Sequence, residues 1–398
     1  MNRFRLSIFS LPVVLFFCLS TSRAAVVVNE PEVDPGATSS AFGFALAASG
    51  SSLFVGAPYF DRGDVDSGWT FTFDISTLAP TGHINTFSAA GSHGGAALAA
   101  GRNDLLVGVP SYNSSVGDAD YITPTGGVGI ANPSPAANDE FGRAVAVGKK
   151  QLVIGAPGDA GGPGPELSGS AFVASKRDLI IMRLPLPSYT NGDSAGYAVA
   201  ISNKLIAVGA RGTASGSIAS SGAVHVYDAK THAFLITLTF SNPFTGPRFG
   251  ESLAFSGNNL FIGAPGQDFG SPVVPGYVPA AGAVYQFNTK TMQLVRTFVP
   301  SSPQDSSGFG TSISADRKRL LVGSPKHDTA AGTDAGKADL FDLKTGVFHS
   351  SLFSDAPAAS EYYGQSVLLM KRNRAAVGAP APDNTSNDGH VYVHTLVP

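Results

Sequence analysis

The chain has 398 residues, of which 43 % are apolar and only 14 % charged, with a formal net charge of −3. Its one cysteine excludes a disulfide framework and a thiolate metal site. Glycine (47) and proline (27) are abundant and no window sustains a 3.6-residue apolar period, which points away from helices and toward many short strands joined by tight turns.

In chain order, the first element is not expected to be part of the fold. Arg3 and Arg5 precede an apolar stretch over 6–19, and Ser22-Arg23-Ala24 offers small residues for cleavage, so residues 1–24 read as a secretory signal peptide. That stretch is too short for a spanning helix, and no other segment is long and apolar enough to cross a bilayer. Cys18 lies inside the leader, so the mature chain, 25–398, is expected to carry no thiol. Without Arg3, Arg5 and Arg23 the 26 basic residues become 23 against 29 acids, a net charge of −6. The expected product is secreted, periplasmic or held at the cell surface.

Val26-Val27-Val28-Asn29 follows as a short β-branched run of strand type. One phrase then recurs seven times. It reads FGFALAASGSSLFVGAP from Phe42, HGGAALAAGRNDLLVGVP from His93, FGRAVAVGKKQLVIGAP from Phe141 and AGYAVAISNKLIAVGAR from Ala195. It returns as FGESLAFSGNNLFIGAP from Phe249, FGTSISADRKRLLVGSP from Phe309 and YGQSVLLMKRNRAAVGAP from Tyr363. The glycines of the closing element (Gly56, Gly108, Gly155, Gly209, Gly263, Gly323, Gly378) are separated by 52, 47, 54, 54, 60 and 55 residues. The opening glycine lies 13 residues earlier in six copies and 14 in the last, so the inner turn is nearly constant and the outer loops absorb the variation.

Each phrase predicts two antiparallel strands, A and B. A strand C follows a polar loop, as in GAVHVYD from Gly222 or GKADLFD from Gly336, and a strand D after it, as in AFLITLTF from Ala233. Small residues fill strand A, as expected where strands converge on an axis, and the aromatic before the opening glycine is placed to wedge between adjacent sheets. The last unit reaches Pro398 just after its strand C, so the run from Val26 is expected to supply its strand D and close the ring without a free sheet edge. Four-stranded antiparallel units at this period describe an all-β, seven-bladed β-propeller over 25–398.

The Phe-Gly … Gly-Ala-Pro pairing resembles the FG-GAP repeat family, which includes the propeller of integrin α subunits, and the resemblance covers essentially the whole mature chain. It implies interaction or adhesion roles. Integrin-type blades often hold an Asp-x-Asp-x-Asp-Gly calcium loop between strands A and B. Here those turns read SGSS (49–52), GRND (101–104), GKKQ (148–151), SNK (202–204), SGNN (256–259), ADRK (315–318) and KRNR (371–374). None has the carboxylates to wrap a calcium ion. The chain is similar to the calcium-free variety, and no cofactor is implied.

Charge is expected to divide across the ring. The A–B turns carry Lys149, Lys150, Arg317, Lys318, Arg319, Lys371, Arg372 and Arg374 as candidate binding residues, and the C–D turns on the same face add Lys176, Arg177, Lys230, Lys290 and Lys344. Most acids fall in the loops of the opposite face. An anionic partner on the basic face is one consequence, and solvated turn charges without a partner are the other. Asp61, Asp64 and Asp66 in DRGDVDSG are the densest carboxylates, a candidate metal cluster weighed against a plain solvated loop, since their spacing matches no calcium loop. Arg62-Gly63-Asp64 within it is an adhesion-type tripeptide of a kind that recurs by chance. His390 and His394 share a strand face without a third ligand, and Trp69 is expected in the core.

No nucleophile elbow, P-loop or dinucleotide fingerprint occurs. Nucleic acid is not an expected partner, because the chain reads as exported and lacks a basic-aromatic surface. The expectation is a monomeric propeller acting as a non-catalytic binding or adhesion module for a protein or glycan. The alternative is a secreted hydrolase or lyase with its site at the channel mouth on the acidic face, where several blades can contribute residues without a local motif.

Overall fold

Alternating apolar residues on either side of a short polar turn make each phrase a hairpin, and each hairpin is extended outward by two more antiparallel strands. The computed structural model of the chain describes residues 25–29, 40–61, 64–84, 89–160, 167–187, 191–215, 218–240, 246–381 and 389–397. The leader, Cys18 and the Arg62-Gly63 dipeptide lie outside the described residues. Seven four-stranded sheets form the blades of a β-propeller. Blades 1 to 6 span 45–84, 97–131, 144–183, 195–239, 253–298 and 312–352. Blade 7 combines 366–395 with the strand Val26–Val28, which pairs antiparallel with His390–Thr395 through Val26↔Val393 and Val28↔Val391. The expected ring closure is therefore made by the N-terminal strand.

Burial follows the order of the strands. The B strands are almost wholly buried, as in Leu105–Val109 and Leu205–Ala210, whereas D strands such as Phe234–Thr239 expose much of their length. The A strands of successive blades are neighbours around the axis. Phe42, Phe141, Phe249, Phe309 and Tyr363, the aromatics of the opening pair, are fully buried. Phe42 meets Phe71 and Phe73 of its own blade edge-on at 5.7 and 6.0 Å and packs in one cluster with Val391 and Val393 of blade 7. Each such side chain contributes roughly 1.5–3 kcal/mol of burial and joins two sheets.

The two glycines of the phrase have separate steric reasons. Gly43 has φ +95, in the left-handed region, and its amide donates to the carbonyl of Gly56 at 3.0 Å to open the hairpin. Gly56 faces the next blade, where a Cβ would overlap the carbonyl oxygen of Gly95, the opening glycine of blade 2. The same apposition repeats around the ring and ends with Gly378 against the Gly43 carbonyl. The motif is thus an interface code. One glycine turns the chain, and the other lets the neighbouring blade approach.

Blades 5 to 7 reinforce that contact with Ser252, Ser312 and Ser366, whose hydroxyls donate to the carbonyls of Gly310, Gly364 and Gly43, each at 2.7 Å. At the seam between blades 7 and 1, Arg372 donates to Ser76 Oγ at 2.9 Å and Arg374 to the carbonyl of Ile75. Two residues expected on a binding face therefore help to close the ring.

Candidate functional site

On the face of the A–B and C–D turns, the A–B turns of blades 3 to 6 and the C–D turns of blades 4 and 5 line an open hollow of about 910 Å³. Val147, Ile201 and Phe255 give it an apolar floor, and Lys149, Lys204, Lys230, Lys290 and Arg317 stand around it. All five cations are exposed, and none makes an ion pair among the described residues. The one acid in the lining, Asp228, accepts from the amides of Lys230 and Thr231 and from the Thr231 hydroxyl at 2.7–3.0 Å. Those bonds to backbone hold its pKa below the usual carboxylate range, so it stays ionised while its charge is directed into its own turn. Asp74 and Asp342 cap their C–D turns in the same way.

The structure sorts the basic residues that sequence placed on this face. Lys149 and Arg317 line the hollow, while Lys150, Lys318 and Lys371 are exposed outside it. Arg319 is held by Asp316 through Nη2 at 2.7 Å and Nε at 3.0 Å, and Lys176 is paired with Asp104 at 2.6 Å. Arg372 and Arg374 belong to the seam. Lys204, in the A–B turn of blade 4, and Lys230 and Lys290, in the C–D turns of blades 4 and 5, complete the hollow.

The opposite mouth has different chemistry. A pocket of about 290 Å³ there is lined by Tyr59, His93, Ser111, Arg143, Tyr197 and Arg211, among others, from blades 1 to 4. Arg143 Nη2 donates to the Tyr197 hydroxyl at 2.9 Å, and the Arg211 guanidinium lies over the Tyr197 ring, 3.4 Å from its centroid. Arg211 Nη1 donates to both carboxylate oxygens of Glu251 at 2.9 and 3.1 Å. His93 Nδ1 is 2.8 Å from Ser111 Oγ, and burial lowers the His93 pKa and keeps the ring neutral.

Residues 131–174 match the family model of the FG-GAP repeat. This match and the seven-bladed fold fit an FG-GAP repeat propeller family. The matched segment runs from the end of blade 2 through strand C of blade 3. No curated protein matches the chain.

Elsewhere in the propeller the candidate residues have local roles. Asp61 accepts the amide of Asp66 at 2.5 Å, which ties its loop, and Asp64 is exposed. Among the described residues no three His, Cys, Asp or Glu side chains converge as a metal group. His394 is buried with Nε2 2.5 Å from the Tyr363 hydroxyl, while His390 Nδ1 is 3.1 Å from Asn29 Oδ1. Trp69 is a buried strand residue stacked on His83 at 4.0 Å. No helix among the described residues is long and apolar enough to cross a membrane.

Sequence reading did not select the pocket of Arg143, Tyr197 and Arg211. A signal for it exists. Six phrases end in proline, and only that of blade 4 ends in arginine, Arg211. Aligned with the other copies, that position is a departure no strand or turn requires.

Proposed function

We propose that this FG-GAP propeller is an exported, non-catalytic binding module that engages an anionic glycan on its turn face. Export rests on the leader-like first 24 residues. The binding reading rests on the hollow, where five unpaired cations surround an apolar floor. Several charges of one sign around a concave surface raise the local potential for an oppositely charged ligand, and an extended acidic chain suits a hollow of that size. A glycan array screened with the purified mature chain at low and high salt tests the reading. Salt-sensitive retention of acidic glycans is expected, with about tenfold weaker binding in a Lys204→Glu, Arg317→Glu variant. Retention that ignores both salt and charge reversal would count against it.

A secreted hydrolase or lyase is favoured by one observation, the convergence of His93, Arg143 and Tyr197 at the opposite mouth. Its test is chain cleavage of acidic oligosaccharides, lost in an Arg143→Gln variant whose folding is intact.

A further inference from the structure

We propose that the mouth opposite the turn face is a binding site for a small carboxylate ligand of acidic-monosaccharide type, held by the guanidinium groups of Arg143 and Arg211 beside Tyr197. This inference goes beyond the turn-face reading and does not depend on it. In a repeat protein the residues that build the fold recur at matched positions, so a group of residues that breaks the pattern together in one place marks a local role that the other blades do not share. The position after the opening glycine holds Phe44, Ala96, Arg143, Tyr197, Glu251, Thr311 and Gln365, one per blade. Arg143, Tyr197 and Glu251 occupy this ring in consecutive blades, and Arg211, which contacts both Tyr197 and Glu251, replaces the proline of blade 4. The departures from the repeat are therefore neighbours in space.

Their geometry leaves binding capacity. A guanidinium has five N–H donors. Arg211 commits Nη1 to Glu251, and Arg143 commits Nη2 to the Tyr197 hydroxyl. Both side chains remain about a third exposed, at 32 % and 30 %. Glu251, only 10 % exposed, is the fixed counter-charge that orients Arg211, whereas Glu140 is 44 % exposed and sits 3.8 Å from Arg143 Nε. That longer contact is one an incoming carboxylate can replace with a bidentate pair. Arg211 stacked on Tyr197 is also held in place before any ligand arrives, which reduces the ordering cost of binding.

Size and walls narrow the ligand. The pocket of about 290 Å³ lies at the small end of the range for small-molecule sites, too small for a folded partner and suited to one sugar-sized body. Phe44 and Tyr59 supply flat apolar wall, while Ser111 and His93 supply hydroxyl and imidazole groups able to bond sugar hydroxyls.

The test is calorimetric titration of the full mature chain with glucuronate and galacturonate, with glucose and acetate as controls. A uronate should bind at least about tenfold more tightly than glucose or acetate. Arg211→Pro, which restores the residue found in the other six blades and so should fold, is expected to weaken uronate binding by at least about tenfold. Glu140→Gln should strengthen it, and Lys204→Glu at the other mouth should leave it unchanged. Equal binding of glucose would overturn the carboxylate assignment, and equal binding of acetate would overturn the saccharide body. No measurable uronate binding, or full binding by the Arg211→Pro variant with an unchanged melting profile, would overturn the site. Because the two proposals use residues at opposite ends of the A strands, loss of one leaves the other standing.

Discussion

Blade 2 carries a buried carboxyl pair whose cost should be measurable. Asp118 and Asp120 lie two apart on the strand Asp118–Thr123, and only 7 % and 6 % of each is exposed. Asp118 Oδ1 accepts the amide of Ala119 at 2.7 Å, whereas Asp120 Oδ2 has no hydrogen-bond partner among the described residues. Burial, and secondarily the charge of Asp118, pushes the Asp120 pKa from 3.8 up to about 7. The folded chain therefore binds a proton that the unfolded chain has released between those values, so stability falls as pH rises through this window and levels off above it. A rise of roughly three units at about 1.4 kcal/mol each sets a ceiling of about 4 kcal/mol. Asp120→Asn keeps the shape and removes the charge. Urea unfolding of variant and parent across pH should show near-equal stability at about pH 4 and a variant advantage of about 2–4 kcal/mol at about pH 8. A difference that does not change with pH, or a variant less stable at the higher pH, would refute the argument that this carboxyl is buried without compensation.

Other consequences are equally direct. Gly263→Ala places a methyl against the Gly310 carbonyl, so the interface of blades 5 and 6 should lose about 1–3 kcal/mol, read as a lowered thermal midpoint. Arg372→Ala with Arg374→Ala should accelerate amide exchange at Val26–Val28 and near Ile75 while leaving anion binding at the hollow intact, because both guanidinium groups are spent on the seam. His225, His327 and His394 are each lowered to about 4 by burial. The unfolded chain takes up protons first, so stability should fall as pH drops from about 6.5 to about 4, and NMR should show these rings neutral at about pH 6. A normal histidine titration for all three would contradict that burial.

Much of this molecule is local and therefore legible in its sequence. The count of seven blades, the A–B hairpins and the buried aromatics follow from period-2 alternation and the nearly constant 13-residue spacing of two glycines. Even the closing strand was visible, because Val26–Val28 has the β-branched character that an unfinished blade requires. The hairpin spacing also assigned many lysines and arginines to the turn face, while Arg143 and Arg211 stand at the opposite mouth.

The tertiary structure decided which of those charges are available. Lys149 and Arg317 face open space while Arg319, Arg372 and Arg374 are spent on neighbours, a distinction set by rotamer and by the adjoining blade rather than by residue type. It also decided that Arg143 reaches Tyr197 across 54 residues of chain and that Arg211 lies on the same ring. A ring brings equivalent positions of successive repeats side by side, so its sites are written one residue per blade. Each residue alone looks like an ordinary strand end, and only closure of the circle makes them one surface.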